Sequence, residues 1–199
     1  AIYNIFKNSK KGILLCSDLL SRGVDIPQVD WVVQYEPPRK SNTFVHRSGR
    51  TARLGTAGNC LTFLYPTEID YVHFLNINKG IKLKPFTFDS SFSFSDRIKK
   101  FATKDRDVYL KGLKAYVSFV NFYTQHECKR IFDIKNLELG KIASDFGLLH
   151  LPNMPELEDA DLSGFTKSHQ DHSTIRFKSK VREKLRQKII KKREIEKFM

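Results

Sequence analysis

The 199 residues hold three cysteines, Cys16, Cys60 and Cys128, far apart and odd in number. That argues against a disulfide framework and for a reducing compartment. No metal-ligand spacing occurs. His126 and Cys128 stand too close together and lack further partners, so they read as core and rim residues. No apolar run approaches the roughly 18 residues of a membrane span. There is no Gly-x-x-x-x-Gly-Lys-Thr phosphate loop, so the chain has no grip of its own on a nucleoside triphosphate and its metal. Asp145-Phe146-Gly147 spells a kinase metal motif, but no catalytic loop or lysine strand accompanies it. The chain opens at Ala1 inside a helical pattern and is expected to be a fragment.

Positive charge is abundant, and it is uneven. The net charge is +13, and residues 174–199 carry eleven Lys and Arg against three acids, a net of +8. A basic excess at one end suggests a polyanion partner, above all nucleic acid, with a membrane-surface helix as the competing reading.

A second concentration of cations lies in Phe44-Val-His-Arg-Ser-Gly-Arg-Thr-Ala-Arg53. Arg47, Arg50 and Arg53 recur every three positions, which on a helix sets their guanidinium groups along one side. A planar guanidinium stays charged and matches phosphate oxygens in pairs. The bland alternative is a solvated basic turn. Upstream stands Cys16-Ser-Asp-Leu-Leu-Ser-Arg-Gly-Val-Asp-Ile-Pro27, after the apolar run Gly12-Ile-Leu-Leu-Cys16. That run reads as a buried strand of a parallel sheet. Its carboxyl end is where open α/β sheets bind ligands, which places Ser17, Asp18, Arg22, Gly23 and Asp25 for recognition.

Taken together, Ser-Asp-x-x-x-Arg-Gly-Val-Asp-Ile and His-Arg-x-Gly-Arg-x-x-Arg resemble motifs V and VI of superfamily 2 helicases, specifically DEAD-box RNA helicases. The resemblance implies that Arg50 and Arg53 are arginine fingers for ATP and that Asp25 bonds its ribose, with Gly23 in the same site. It implies that His46 and Arg47 couple the two lobes. Ser17, Asp18, Arg22 and Gly23 match the part of motif V that touches the RNA backbone or links it to the ATP site. Ala52 departs from the commonest family pattern, which has glycine there; a methyl group is a mild change. ATP and Mg²⁺ are expected to be held mainly by a first lobe, which this chain lacks along with the Asp-Glu-Ala-Asp box. The 199 residues alone are therefore expected to be inactive.

The fold expected is α/β: a partial RecA-like parallel sheet with flanking helices, then a small all-helical extension and a basic helical tail. Residues 1–84 form the later part of the second lobe, with strands at 12–17, Trp31–Tyr35 and Asn59–Tyr65 and a helix from about Asn42. A further helix starts at Pro66-Thr67-Glu68, turns Ile69, Val72 and Leu75 inward, and stops at Gly80. Residues 85–95 are an extended linker whose Phe86, Phe88, Phe92 and Phe94 lie on a neighbouring surface. Residues 96–157 are helical. Ile98 and Phe101 point inward in their first piece. The long second helix shows Leu110, Leu113, Val117, Val120 and Tyr123 or Phe122, and the third shows Leu139, Ile142, Ala143 and Phe146 before Gly147. Residues 158–173 read as a linker, and 174–199 as a basic amphipathic tail.

Lys114-Ala-Tyr-Val-Ser-Phe-Val, His126-Glu-Cys, Phe146-Gly-Leu-Leu and Leu151-Pro-Asn-Met-Pro155 are similar to the carboxy-terminal extension of one DEAD-box branch. That branch acts in large-subunit (60S) ribosome assembly in the nucleolus. The resemblance implies a nucleolar or nuclear ATP-dependent helicase acting on pre-ribosomal RNA, with the pre-60S particle as partner and no membrane. Arg176, Lys178, Lys180 and Arg182 are expected RNA contacts of the tail. The alternatives are a non-catalytic RNA- or ribosome-binding module and a DEAD-box helicase of another RNA pathway.

Overall fold

The computed structural model describes residues 2–18, 29–53, 55–87 and 93–198. It divides into two units. The first holds 1–85 together with 123–133, and the second holds 86–122 together with 134–199.

The first unit is built on a parallel βαβ element. Strand β1 (Trp31–Gln34) pairs in parallel with β2 (Asn59–Thr62), Trp31 opposite Asn59 and Gln34 opposite Thr62. The crossover carries α2 (Ser41–Ser48), following the short α1 (Ile2–Lys7). A parallel pair needs such a crossover because its strands run the same way. Phe44 of α2 is buried, and Gln34 turns its amide beneath the helix. Gln34 Nε2 donates to Ser48 Oγ at 3.2 Å. The alternate positions Trp31, Val33 and Tyr35 leave an apolar face exposed.

The expected strand at 12–17 does not form. Ile13 and Leu15 are 91% and 92% exposed. Among the described residues the sheet has two strands, β1 and β2, and neither pairs with this segment. An apolar run needs a ladder partner as well as hydrophobicity to be a buried strand.

After β2 a turn of 3-10 helix at Pro66–Glu68 leads into α3 (Asp70–Lys79). Gly80 ends α3 at φ 65°, a left-handed position that suits glycine. The inward residues are Tyr71 and Leu75, while Ile69 is exposed. Tyr71 is the hub. It meets Phe44 edge-on at 6.2 Å, Phe132 at 5.1 Å and His126 at 5.6 Å. His126 and Phe132 come from the far part of the chain. So does Tyr123, whose hydroxyl donates to buried Glu68 at 2.9 Å. Burial raises the Glu68 carboxyl above its usual range, against the lowering effect of its bonds from Tyr65 N–H and Tyr123.

In the second unit α4 (Ser95–Lys104) turns Ala102 inward, while Phe101, expected inward with Ile98, is exposed and Ile98 is half-buried. Asp105 Oδ1 accepts the Asp107 N–H at the start of α5 (Arg106–Thr124). On α5 the expected Val120 and Tyr123 are buried, but Tyr109, Tyr116 and Phe119 fill the rest of the buried face in place of Leu110, Leu113 and Val117, a partial rotation; its last residues, from Tyr123, belong to the first unit. The cause of the rotation is close packing at Gly112, where a Cβ would come within 2.7 Å of the Phe146 carbonyl. Tyr116 donates to the Leu139 carbonyl of α6 (Leu139–Asp145) at 3.2 Å. Gly147 follows α6 at φ 71°.

Residues 158–173, expected as a linker, bond to the helical core instead. Gly140 N–H donates to the Asp161 carbonyl, Ser144 Oγ to Gly164, and Ser168 N–H to Leu149. Ile175, expected in the tail, is buried with Ala102, Tyr109 and Leu149. Only from Lys180 does the tail become a long helix, α7 (Lys180–Phe198). Phe86 and Phe94 are exposed, whereas Phe88 and Phe92 lie outside the described residues.

His126 gives a pH test. Its Nδ1 accepts the Cys128 N–H at 3.0 Å, and burial lowers its pKa to about 4. An unfolded histidine binds its proton near 6.5, so stability is full above that pH and falls as pH drops towards 4. The loss should reach about 3 kcal/mol. Glu68 acts in the opposite sense, with its raised carboxyl favouring the fold under acid. The comparison is therefore between wild type and His126→Asn, which keeps the acceptor and cannot charge. Urea unfolding from pH 7.5 to 4 should show the wild type losing stability faster than the variant; parallel curves would refute this account.

Candidate nucleotide and RNA interface

The site is assembled from the segment ending at Asp18, the end of β1, helix α2 and the turn after it. Arg47, in the last turn of α2, is its centre. Arg47 Nε donates to Asp18 Oδ1 at 2.6 Å and Nη2 to Asp18 Oδ2 at 2.9 Å. Its remaining amino group donates to the Glu36 carbonyl at 2.8 Å. The bidentate fork fixes orientation as well as charge. The two halves of the sequence signature, 29 residues apart, are thus joined by an ion pair.

The helix ends earlier than the arginine spacing suggested. Gly49 caps α2, so Arg50 and Arg53 lie beyond it in a turn and not along one helical face. The turn is held tightly. Arg50 N–H donates to the Arg47 carbonyl and Thr51 N–H to Ser48. Thr51 is buried, and its hydroxyl donates to the Val29 carbonyl, just before β1. A Cβ at Gly58 would sit 2.1 Å from that hydroxyl and 2.4 Å from the Ala52 nitrogen, so only glycine lets β2 begin there. Each arginine is tethered by its inner nitrogen to the carbonyl four residues back: Arg50 Nε to His46 at 3.3 Å, Arg53 Nε to Gly49 at 2.9 Å. Both side chains are half-exposed, and His46 is exposed.

Ser17 and Asp18 are exposed, while Arg22, Gly23 and Asp25 lie outside the described residues. Of the four tail residues, Arg176, Lys178 and Lys180 are exposed. Arg182 is committed inside its unit, paired with Asp107 and stacked 4.4 Å over the Phe177 ring. Arg186 likewise reaches the Ser173 carbonyl and Glu183. The pair with Arg182, together with Lys111, holds the Asp107 carboxyl below its usual range. Among the described residues, no group of three His, Cys, Asp or Glu side chains could hold a metal. None of their helices is long and apolar enough to cross a membrane.

A parallel βαβ element followed by a turn that carries two tethered arginines, in a chain that continues into a helical extension, fits the carboxy-terminal lobe of a RecA-like helicase. Comparison with known proteins agrees. Residues 1–55 match the helicase conserved C-terminal domain, and residues 105–154 match the C-terminal extension of ATP-dependent rRNA helicase SPB4-like proteins. The chain is 46% identical over 193 residues to ATP-dependent RNA helicase DDX55 of Xenopus laevis, covering 96% of this chain and 32% of that protein. It is 43% identical over 197 residues to DDX55 of Homo sapiens, covering 98% and 33%. It is also 43% identical over 192 residues to DEAD-box ATP-dependent RNA helicase 18 of Oryza sativa subsp. japonica, covering 94% and 30%. The chain therefore spans about a third of the length of the curated relatives it matches. Among solved structures it is similar to Mss116p (NTE and C-tail double deletion) bound to ssRNA and AMP-PNP, at a TM-score of 0.59 and 26% identity over 73% of this chain and 28% of that one. The chain is thus similar to the carboxy-terminal part of DEAD-box RNA helicases, with separate matches to the helicase C-terminal domain and to the SPB4-like extension.

Ala52 has a physical consequence that sequence did not reveal. It holds φ 53°, the only described non-glycine residue at positive φ. An L side chain there costs about 1–2 kcal/mol, which glycine avoids at some entropic expense in the unfolded chain. Ala52→Gly should therefore stabilise the chain by about 0.5–1 kcal/mol. Urea titration reads this as a raised midpoint; an unchanged or lowered midpoint would refute the strain.

Proposed function

We propose that the whole protein is an ATP-dependent RNA helicase that remodels pre-ribosomal RNA during large-subunit assembly. Arg50 and Arg53 are its arginine fingers. The observation that carries the reading is the pair of tethered, half-exposed guanidinium groups at the end of α2, backed by the Arg47–Asp18 lock. The matched extension of rRNA helicases and the relatives' names support the substrate class.

ATP, when bound, supplies the phosphoryl group whose transfer to water drives the cycle. This chain contributes cations to its phosphates. In such a transition state charge spreads over phosphate oxygens, and an arginine delivered only on closure of the lobes stabilises that state more than the ground state. The donor set fits the triphosphate. Mg²⁺ is assigned mainly to the first lobe. Asp25 and Gly23 complete the nucleotide contacts, and His46 couples the lobes.

On the RNA side, Ser17, Arg22 and Gly23 meet the backbone. Asp18 acts through Arg47, which links the RNA segment to the fingers. Arg176, Lys178 and Lys180 add exposed tail cations for phosphate contact. Arg182 contributes by bracing the start of α7. RNA and ATP together close the lobes and bend one strand from its duplex, and hydrolysis reopens the clamp. The place of action is the nucleolus, on the pre-60S particle.

Arg50→Ala in the full-length protein should lower RNA-stimulated ATP hydrolysis by roughly 10³-fold or more. RNA affinity, read by fluorescence anisotropy with a single-stranded oligonucleotide, should stay within about twofold. Retained turnover would refute the finger role, whereas a wild type without RNA-stimulated turnover would favour the non-catalytic binding module.

A further inference from the structure

The first turn of α2 has backbone N–H groups with no partner inside the helix. Lys40, at its N-cap, supplies no side-chain acceptor. The acceptor comes instead from 86 residues away: Glu127 Oε1 receives the Ser41 N–H at 2.5 Å. The exchange is reciprocal, since the Glu127 N–H donates to the Arg39 carbonyl at 3.0 Å. One residue of the extension therefore clasps the chain on both sides of the point where α2 begins. A carboxylate at that end also complements the helix dipole.

The flanking residues hold the same helix from its buried side. His126 and Phe132 stack on each other at 3.7 Å, and both pack on Tyr71, which meets Phe44 of α2. Tyr123, just before them, is fixed to Glu68. The segment 123–133 is thus built into the first unit, as its grouping with residues 1–85 records. Helix α2 has eight residues, so a change at its first turn reaches its last within about 12 Å. The last turn holds Arg47, and the tethered Arg50 hangs from the His46 carbonyl.

We propose that Glu127 is a positioning residue for the arginine fingers, a clasp by which the extension sets the helix that presents them. In this role it acts through the backbone at the start of α2 and not on nucleotide or RNA directly. The proposal rests on the function proposed above and deepens it. The extension, on this account, is part of the ATPase and not only an RNA-binding appendage.

The test uses the full-length protein and the variants Glu127→Ala, Glu127→Gln and Tyr123→Phe. The last loosens the same unit at Glu68 without touching the start of α2. Hydrogen exchange over residues 41–47 should quicken about fivefold in Glu127→Ala, the usual size of a lost cap. RNA-stimulated kcat should fall about tenfold, because small misplacements of a catalytic group are costly, while KM for ATP stays within twofold. Glu127→Gln keeps an oxygen acceptor and should recover most of kcat. Faster exchange with unchanged kcat would overturn the proposal. So would an equal kcat loss in Tyr123→Phe matched for stability, which would mark a merely structural effect. A wild-type protein without RNA-stimulated hydrolysis would remove the helicase reading and this inference with it. Wild-type turnover with an unmoved Glu127→Ala removes the inference alone.

Discussion

The bidentate contact between Arg47 and Asp18 is the constraint on which the candidate site depends. The pair is partly exposed, at 21% and 46%, so its free energy is modest, about 1 kcal/mol. Its value is geometric. The segment 12–18 has no strand partner, and its apolar side chains face solvent. The pair gives that segment a fixed point on α2. A planar fork meeting a carboxylate through two parallel bonds leaves little rotational freedom, so the last turn of α2 and the end of the segment share one orientation. The third bond, from Arg47 to the Glu36 carbonyl, ties both to the end of β1. Burial raises the Glu36 carboxyl, and the neighbouring guanidinium partly offsets this. Charge at this junction is therefore balanced among groups from three elements.

Local patterns were legible where the chemistry was local. The strands at Trp31 and Asn59, the helix from residue 41, and the stops at Gly80 and Gly147 all follow from short runs of residue types. Three readings failed because each depended on something distant or on close backbone approach. The run 12–16 is apolar enough for a strand but finds no ladder. The buried face of α5 is set by Gly112, which admits the Phe146 carbonyl, and Tyr116 is accommodated there by donating its hydroxyl to the Leu139 carbonyl. The stretch 158–173 looks polar and unconstrained, yet Gly140 lets its backbone come within bonding range of α6; a Cβ there would lie 2.4 Å from Leu162. Glycine in a helix was the available signal in both cases.

The site was legible in a different way. Motif spacing pointed to Arg47, Arg50, Arg53 and Asp18 but implied a helical row of arginines. The row breaks because the crossover must turn back into β2. Thr51 closes that turn by bonding the chain before β1, and Gly58 makes room for it. Ala52 then has to adopt φ 53°, a conformation in which glycine would be unstrained. Glu127 carried no local signal at all. Its partners are 86 and 88 residues away, and nothing in His-Glu-Cys announces a helix cap.

A turn serves an arginine finger better than the helical row would have done. On a helix surface, a long cationic side chain samples many rotamers, and ordering it on a phosphate costs up to about 2 kcal/mol. Here the inner nitrogen of each arginine already bonds the carbonyl four residues back, once at His46 and once at Gly49. The repeated tether fixes the stem, and it does so with the nitrogen that lies nearest the backbone. The same spacing that suggested a continuous helix is thus used for two successive tethers across its end. The helix supplies the first carbonyl and its cap residue supplies the second, so both arginines inherit their placement from α2. Anything that sets the start of that helix, including the Glu127 carboxylate, then bears on the two arginines through a short and stiff lever.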